Sequence, residues 1–160
     1  MKKHWSMLLF TGCCLSLLTL QCSPKPPDTH VADEAAIRAI NPSWFSAYNS
    51  GNVDAIVALY GEDAVLSAPG APAGRGHAAI REILAKGIAD GMALHAGSTT
   101  DAGVSGDLGW EWGTFTVSDK SDVTVDAGKY VTVYARKDGK WLIIRDIWNS
   151  DGPMQAAEMK

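Results

Sequence analysis

The residues of this chain best placed to do chemistry lie near its end, in Lys140-Trp141-Leu142-Ile143-Ile144-Arg145-Asp146-Ile147-Trp148-Asn149-Ser150-Asp151. Side chains of a β-strand alternate between faces. One face of this run would carry Trp141, Ile143, Arg145 and Ile147, and the other Leu142, Ile144, Asp146 and Trp148. Both faces are mostly apolar, so the strand is expected to be covered on both sides. Each also holds one ionisable group, and a charge in such surroundings needs a partner or changes its protonation. Asp146 beside Trp148 carries two readings. It is a pocket base whose pKa is raised by Trp148 and Leu142, or a structural carboxylate bonded to backbone or to a tyrosine hydroxyl. Arg145 reads as a solvent-side ion-pair partner.

Aromatic residues are numerous: Trp44, Tyr48, Tyr60, Trp110, Trp112, Tyr130, Tyr134 and Trp148. Most aromatics at helical or strand spacing fill a core. A set this large can also wall a pocket for a flat or apolar ligand, oriented by a few polar tips. Trp112 and Tyr130 are the first candidates for that wall, followed by Tyr60, Trp44 and Trp148. His77 is expected near the start of a helix and His95 on an exposed weak strand. Neither has an acidic neighbour at metal-ligand spacing, so no metal site and no cofactor are expected. Ser43, Ser46 and Ser67 lack the strand-turn-helix context of a nucleophile elbow, which leaves acyl transfer without support.

The elements that must position these residues can be read in order. Asp28 or Thr29 can cap a helix from about Val31, with Ile37, Ile40, Trp44, Ala47 and Tyr48 on one stripe. Pro42 predicts a kink, or a restart with Asn41 as cap. Gly51 ends that helix, and Asn52 caps a short second one with Ile56, Leu59 and Tyr60 inward. A strand over 64–67, a Pro/Gly loop over 69–74 and a third helix from Gly76 or His77 follow. Gly91 stops the third helix. Strands are then expected over 94–104, 109–117, 128–136 and 140–151, with a tight Asp138-Gly139 turn before the last. Helices first and consecutive hairpin strands afterwards predict an α+β fold: an antiparallel sheet with helices on one face.

At 160 residues, 46% hydrophobic and 20% charged, the chain suits one globular domain. Residues 1–22 stand apart. Lys2, Lys3 and His4 precede an uncharged, largely apolar run from Trp5 to Leu20. That run is shorter than the ~20 residues of a membrane span, and the pattern is that of a secretory signal. All three cysteines, Cys13, Cys14 and Cys22, fall there, so the globular part has no disulfide framework and no Cys-ligated metal. The segment resembles bacterial lipoprotein signals, with Cys22 as the candidate lipidated residue; Gln21 departs from the small residue usual before that cysteine. Ordinary secretion is the alternative. Residues 23–30 are a Pro-rich tether, 31–151 the folded domain and 152–160 a C-terminal tail. The expected location is periplasmic or lipid-anchored to a bacterial membrane, with membrane contact only through such an anchor. Without Lys2 and Lys3, 12 basic residues face 18 acidic ones. With no basic run, nucleic acid is not an expected partner.

Four stretches carry a family resemblance. Trp44-Phe45-Ser46-Ala47-Tyr48-Asn49-Ser50-Gly51-Asn52-Val53-Asp54-Ala55-Ile56-Val57-Ala58-Leu59-Tyr60 resembles the opening of SnoaL-like and ketosteroid-isomerase-like proteins of the nuclear-transport-factor-2-like superfamily. Gly76-His77-Ala78-Ala79-Ile80-Arg81 resembles the start of their third helix. Lys129 to Tyr134 and Asp138 to Asp151 resemble the last hairpin of an uncharacterised, often exported branch. The resemblance covers about 32–151. It implies a cone, a strongly curved sheet wrapped around three N-terminal helices with a pocket at the open end, and a homodimer. The isomerase's catalytic set does not carry over. Its base, an Asp before the Pro ending the first strand, falls on Ala68 before Pro69. Its oxyanion tyrosine falls on Trp44, and its protonated Asp falls in the Tyr130-to-Tyr134 strand, which has no carboxylate.

Two functions fit. One is a non-catalytic module that binds a small apolar or aromatic molecule. The other is a cofactor-free isomerase, cyclase or hydratase with Asp146 as general base. Whether the protein is an enzyme stays open on the sequence.

Overall fold

The computed structural model describes residues 29–91, 93–119 and 121–152, and of 93–98 the backbone alone. The signal expected over 1–22, with Cys13, Cys14 and Cys22, lies outside the described residues, as do most of the tether, nearly all of the tail and the side chain of His95. The elements are α1 (His30–Asn49), α2 (Val53–Val57), β1 (Tyr60–Ser67), β2 (Gly74–Arg75), α3 (Gly76–Ala89), β3 (Ala93–Ser105), β4 (Leu108–Ser118), β5 (Thr124–Lys137) and β6 (Lys140–Ser150). The fold is α+β: one curved, unclosed six-stranded sheet in the order β2-β1-β6-β5-β4-β3, with the helices against its concave side. The sheet is not wholly antiparallel as expected. β1 runs parallel to β6, because α3 and the whole β3–β5 meander intervene between them.

α1 forms on the expected stripe, but the stripe is not purely apolar. Asp33 and Asn41 are buried on it with Ile37 and Tyr48. The helix passes Pro42 without interruption. Pro42 lies on the exposed side, and Ile37, Asn41 and Tyr48 anchor the inner side before and after it. Tertiary packing overrides the local penalty of the proline. The first turn is tied across the fold through Asp33, which accepts from the Thr29 hydroxyl at 2.5 Å, the Trp141 indole N–H at 3.2 Å and the Arg136 guanidinium. These donors, Thr29 foremost, hold the Asp33 carboxyl below its ordinary value. Asn52 caps α2, its side chain accepting from the Ala55 N–H.

The core runs between helices and sheet through Ile37, Ile56, Leu66, Ile80, Leu84, Tyr134 and Ile143. Ile143 is there because β6 does not alternate as simple periodicity predicts. Val133 pairs with Arg145 while the next residue, Tyr134, pairs with Ile143, so Ile144 is the extra residue of a β-bulge. The bulge resets the alternation, and Ile143 joins Asp146 and Trp148 on the concave side. The opposite face is not covered: Ile147 is 54% exposed, and Val131 and Trp110 are exposed beside it on the neighbouring strands. Asp138 and Gly139 both take positive φ in the two-residue turn that joins β5 to β6.

Candidate functional site

The pairing register places two carboxyl groups in one row across the sheet. Ala102 of β3, Glu111 of β4, Thr132 of β5, Asp146 of β6 and Leu66 of β1 are successive cross-strand partners. A second row, Gly113, Tyr130 and Trp148, lies one inward residue further along the same strands. Above these rows α1 and α3 leave a cavity of about 710 Å³. Its walls are largely apolar and aromatic: Trp44, Phe45 and Tyr48 from α1, Ile83 and Leu84 from α3, and Phe115, Tyr130 and Trp148 from the sheet. Gly113 makes the second row possible. A Cβ there would overlap the Tyr130 ring and hydroxyl, which lie across it to reach α1.

Glu111 is fully buried. Its Oε1 accepts from the Asn41 Nδ2 at 2.5 Å, and its Oε2 has no hydrogen-bond partner. The same Asn41 amide donates to the Tyr130 hydroxyl, which lies 3.4 Å from the Thr99 hydroxyl. Burial pushes the Glu111 carboxyl above its ordinary value, against the pull of Asn41 and the surrounding hydroxyls. Asp146 is also bonded only to neutral donors. Its Oδ2 accepts from the Tyr60 hydroxyl at 2.6 Å and its Oδ1 from the Thr132 hydroxyl at 3.3 Å. Tyr60 in turn accepts from the Trp44 indole N–H at 2.9 Å, which orients its proton toward Asp146. Burial lifts the Asp146 carboxyl to about 6, with the hydrogen bonds from Tyr60 and Thr132 drawing it down and the Glu111 charge adding to the rise. Desolvation likewise raises Tyr60 and Tyr134, and Tyr130 to about 12, so all three hydroxyls stay protonated in neutral solution.

The residues singled out from the sequence divide accordingly. Trp44, Tyr130, Trp148 and Asp146 all line the cavity. Tyr60 lies beneath the lining, buried, and acts on the site only through its hydrogen bonds. Trp112 is not in the wall. It neighbours the inward Glu111 on β4, so alternation turns it to the other side of the sheet. Asp146 is bonded to a tyrosine hydroxyl, and it also lines the cavity. His77 lies in the first turn of α3, its Nε2 2.9 Å from the Tyr60 carbonyl oxygen. Among the described residues no three His, Cys, Asp or Glu side chains are grouped to hold a metal, and no helix is long and apolar enough to cross a membrane.

Glu111 and Asn41 were missed. The strand searched for a second carboxylate, Tyr130 to Tyr134, lacks one, but its neighbour β4 places Glu111 directly beside Thr132. The available signal was parity. Gly109, Glu111, Gly113 and Phe115 share one face of a strand, and glycines on either side of a lone acid mark a place where other groups approach the strand closely. Asn41 occupies the step after Ile37 on the buried stripe of α1.

The raised Asp146 pKa has a stability consequence of definite sign. The folded chain holds this proton more tightly than the unfolded one, so the contribution is complete below pH ~4 and is lost as pH rises through about 6. Asp146→Asn removes that dependence. Between pH 4 and pH 7 the stability of the variant relative to the parent should improve by on the order of 3 kcal/mol, from a shift of roughly two units. Urea unfolding of both proteins across this range reads the difference; a gap that does not change with pH would contradict a raised carboxyl.

Comparison with known proteins agrees with this architecture. A family model described as a SnoaL-like domain matches residues 43–144. No curated protein matches the chain at a significant level. A ketosteroid isomerase-like protein from Erwinia carotovora superposes with a TM-score of 0.65 at 22% identity, over 76% of this chain and 98% of its own. An NTF2-like protein of unknown function from Pseudomonas putida gives 0.70 at 21% identity, over 78% and 91%. An NTF2-like protein with a cystatin-like fold from Novosphingobium aromaticivorans gives 0.66 at 21% identity, over 78% and 86%. At these identities the structures establish the fold alone, while the family model spans more than half of the chain. The chain belongs to the SnoaL-like family.

Proposed function

We propose that this protein is an exported binding module that takes a small, mostly apolar molecule into the cavity between α1, α3 and the concave sheet face. One observation carries the reading: a cavity of about 710 Å³, walled mainly by aromatic and aliphatic side chains, with a few polar groups converging at its floor. This is the usual make-up of a small-molecule site, in which apolar area supplies affinity and the polar groups orientation. Trp44 and Trp148 line the wall, so occupancy should change tryptophan fluorescence. Ile83→Trp, which projects a larger ring from α3 into the space, should weaken uptake of a naphthalene-type ligand at least tenfold without changing the far-ultraviolet circular dichroism. Equal uptake by the variant would place the ligand elsewhere.

A second reading is favoured by one specific feature. Asp146 faces the cavity with its pKa at about 6, the range in which a carboxylate is an effective proton acceptor near neutral pH. The Trp44–Tyr60 relay holds it in place. On this reading the protein is a cofactor-free isomerase, cyclase or hydratase in which Asp146 is the base. Ala68 and Trp44 still replace the base and the tyrosine of the isomerase, so the reaction is not the ketosteroid one. Asp146→Asn should abolish turnover of a ketone or epoxide substrate while leaving its binding in place; surviving turnover would remove Asp146 from the role.

The uncovered face that carries Trp110, Val131 and Ile147 supports a homodimer formed sheet to sheet. Sedimentation equilibrium should find a dimer that Ile147→Asp dissociates, and a monomeric parent would exclude it. The apolar run ending at Cys22 supports export, to the periplasm or to a lipid anchor on Cys22. The intact mass of the mature protein distinguishes the two, and an unprocessed Met1 would exclude both.

A further inference from the structure

The charges of the cavity are one-sided. Glu111, Asp146 and Asp126 line it, and among the described lining residues there is no Lys, Arg or His. The three acids differ in what they lack. Asp126, at the start of β5, is occupied: its Oδ1 accepts from the hydroxyl of Ser150, at the end of β6, at 2.5 Å and from the Ala127 N–H at 2.8 Å. Asp146 has one strong donor in Tyr60 and a longer contact to Thr132. Glu111 is wholly buried, and no donor is placed in good geometry at its Oε2, although the hydroxyls of Tyr130, Tyr134 and Thr99 surround the carboxyl. A buried polar atom without a partner is uncommon in a folded protein and calls for a missing group. Glu111 is among the residues that line the cavity, in the same cross-strand row as the second under-supplied carboxyl.

We propose, on the basis of the binding reading above, that the ligand is a hydrophobic amine in its protonated form, with its ammonium over Thr132 between Glu111 and Asp146 and its apolar body against the aromatic wall. Glu111, Thr132 and Asp146 occupy adjacent strands ~4.8 Å apart, so a group above the middle residue is within reach of both outer carboxyls. The ammonium supplies an N–H donor to the Asp146 Oδ1, whose own contact to Thr132 is long, and lies in the field of the Glu111 carboxyl beneath. Its charge replaces the cation that neither carboxyl has. Trp44, Tyr130 and Trp148 line the same cavity, and an aromatic ring attracts a cation over its face as well as an apolar body. An anionic ligand would meet three acids and no base. A neutral one would leave the charge of the site unbalanced.

The amine should bind in competition with protons. The titratable groups facing Asp146 are Tyr60 of β1, Tyr134 of β5 and Glu111 of β4; Glu111 is faced by Tyr130 and Tyr134. From α1 the site meets Asn41 and Trp44, and from α3 Ile83, Leu84 and Gly87, none of which titrates in this range. Asp146, raised to about 6, is therefore the group that changes charge between pH 5 and pH 8.

The test compares 2-naphthylmethylamine, protonated throughout that range, with the near-isosteric 2-naphthalenemethanol and with 2-naphthoate, by calorimetric titration of the protein. The amine should bind at least about tenfold more tightly than the alcohol at pH 8. This advantage should shrink about tenfold by pH 5, with proton release visible as a dependence of the heat on the buffer. Asp146→Asn and Glu111→Gln should each reduce the preference for the amine while alcohol binding, which reports an intact cavity, persists. Amine binding no tighter than alcohol binding at pH 8, or naphthoate binding tightest, overturns the proposal and leaves the apolar pocket standing. Failure of all three to bind overturns the pocket reading together with it.

Discussion

Two carboxyl groups on one sheet face, Glu111 buried and Asp146 part-buried, with no cation beside them among the described residues, are the constraint around which this concave face is arranged. A buried charge must be paired, hydrogen-bonded or neutralised. The chain uses pairing elsewhere: Asp33 is held by Arg136 together with the Thr29 and Trp141 donors, and its pKa falls. Glu111 and Asp146 receive only neutral donors, and their pKa values rise. Helix, strand and cavity wall all contribute to that difference. Asn41 of α1 reaches one carboxyl, while Tyr60 of β1, steadied by Trp44 of α1, reaches the other.

The backbone provides the space that the arrangement needs. The bulge at Ile144 brings Ile143 into the core while leaving Asp146 and Trp148 on the concave side two and four residues beyond it. Gly113 lets the Tyr130 ring cross β4, and α1 continues unbroken past Pro42 so that Asn41 and Trp44 both reach the cavity. Each feature runs against a local preference, and each lies beside the cavity. Departures of this kind are expected where a site is built.

The order of the elements was legible because it depends on periodicity and turn chemistry. The stripe of α1, the Asn52 cap, the Asp138-Gly139 turn and the long strands all follow from local residue types. The site was legible in part. Asp146 and Trp148 were recognisable as an acid and an aromatic in an apolar strand, and Trp44 and Tyr130 as wall residues. Trp112 was misplaced because the number of aromatics was weighed above the parity of its strand. Glu111 was overlooked because its meaning is non-local: only the register of β4 against β5 and β6 brings it into one row with Thr132 and Asp146. The parallel pairing of β1 with β6 and the Ile144 bulge are likewise properties of strand partnership, which no single stretch of sequence contains.

The central claim is that Glu111 and Asp146 share one water-poor cavity floor and affect each other's protonation. Carbon-detected NMR titration of the Glu111 Cδ and Asp146 Cγ resonances measures this directly. The account predicts that both carboxyls titrate above the ordinary values of 4.5 and 3.8, with Asp146 near 6 and each curve broadened by the charge of the other. Two independent, ordinary titrations at or below those values would mean that the floor is solvated or its charges compensated, and would contradict the account.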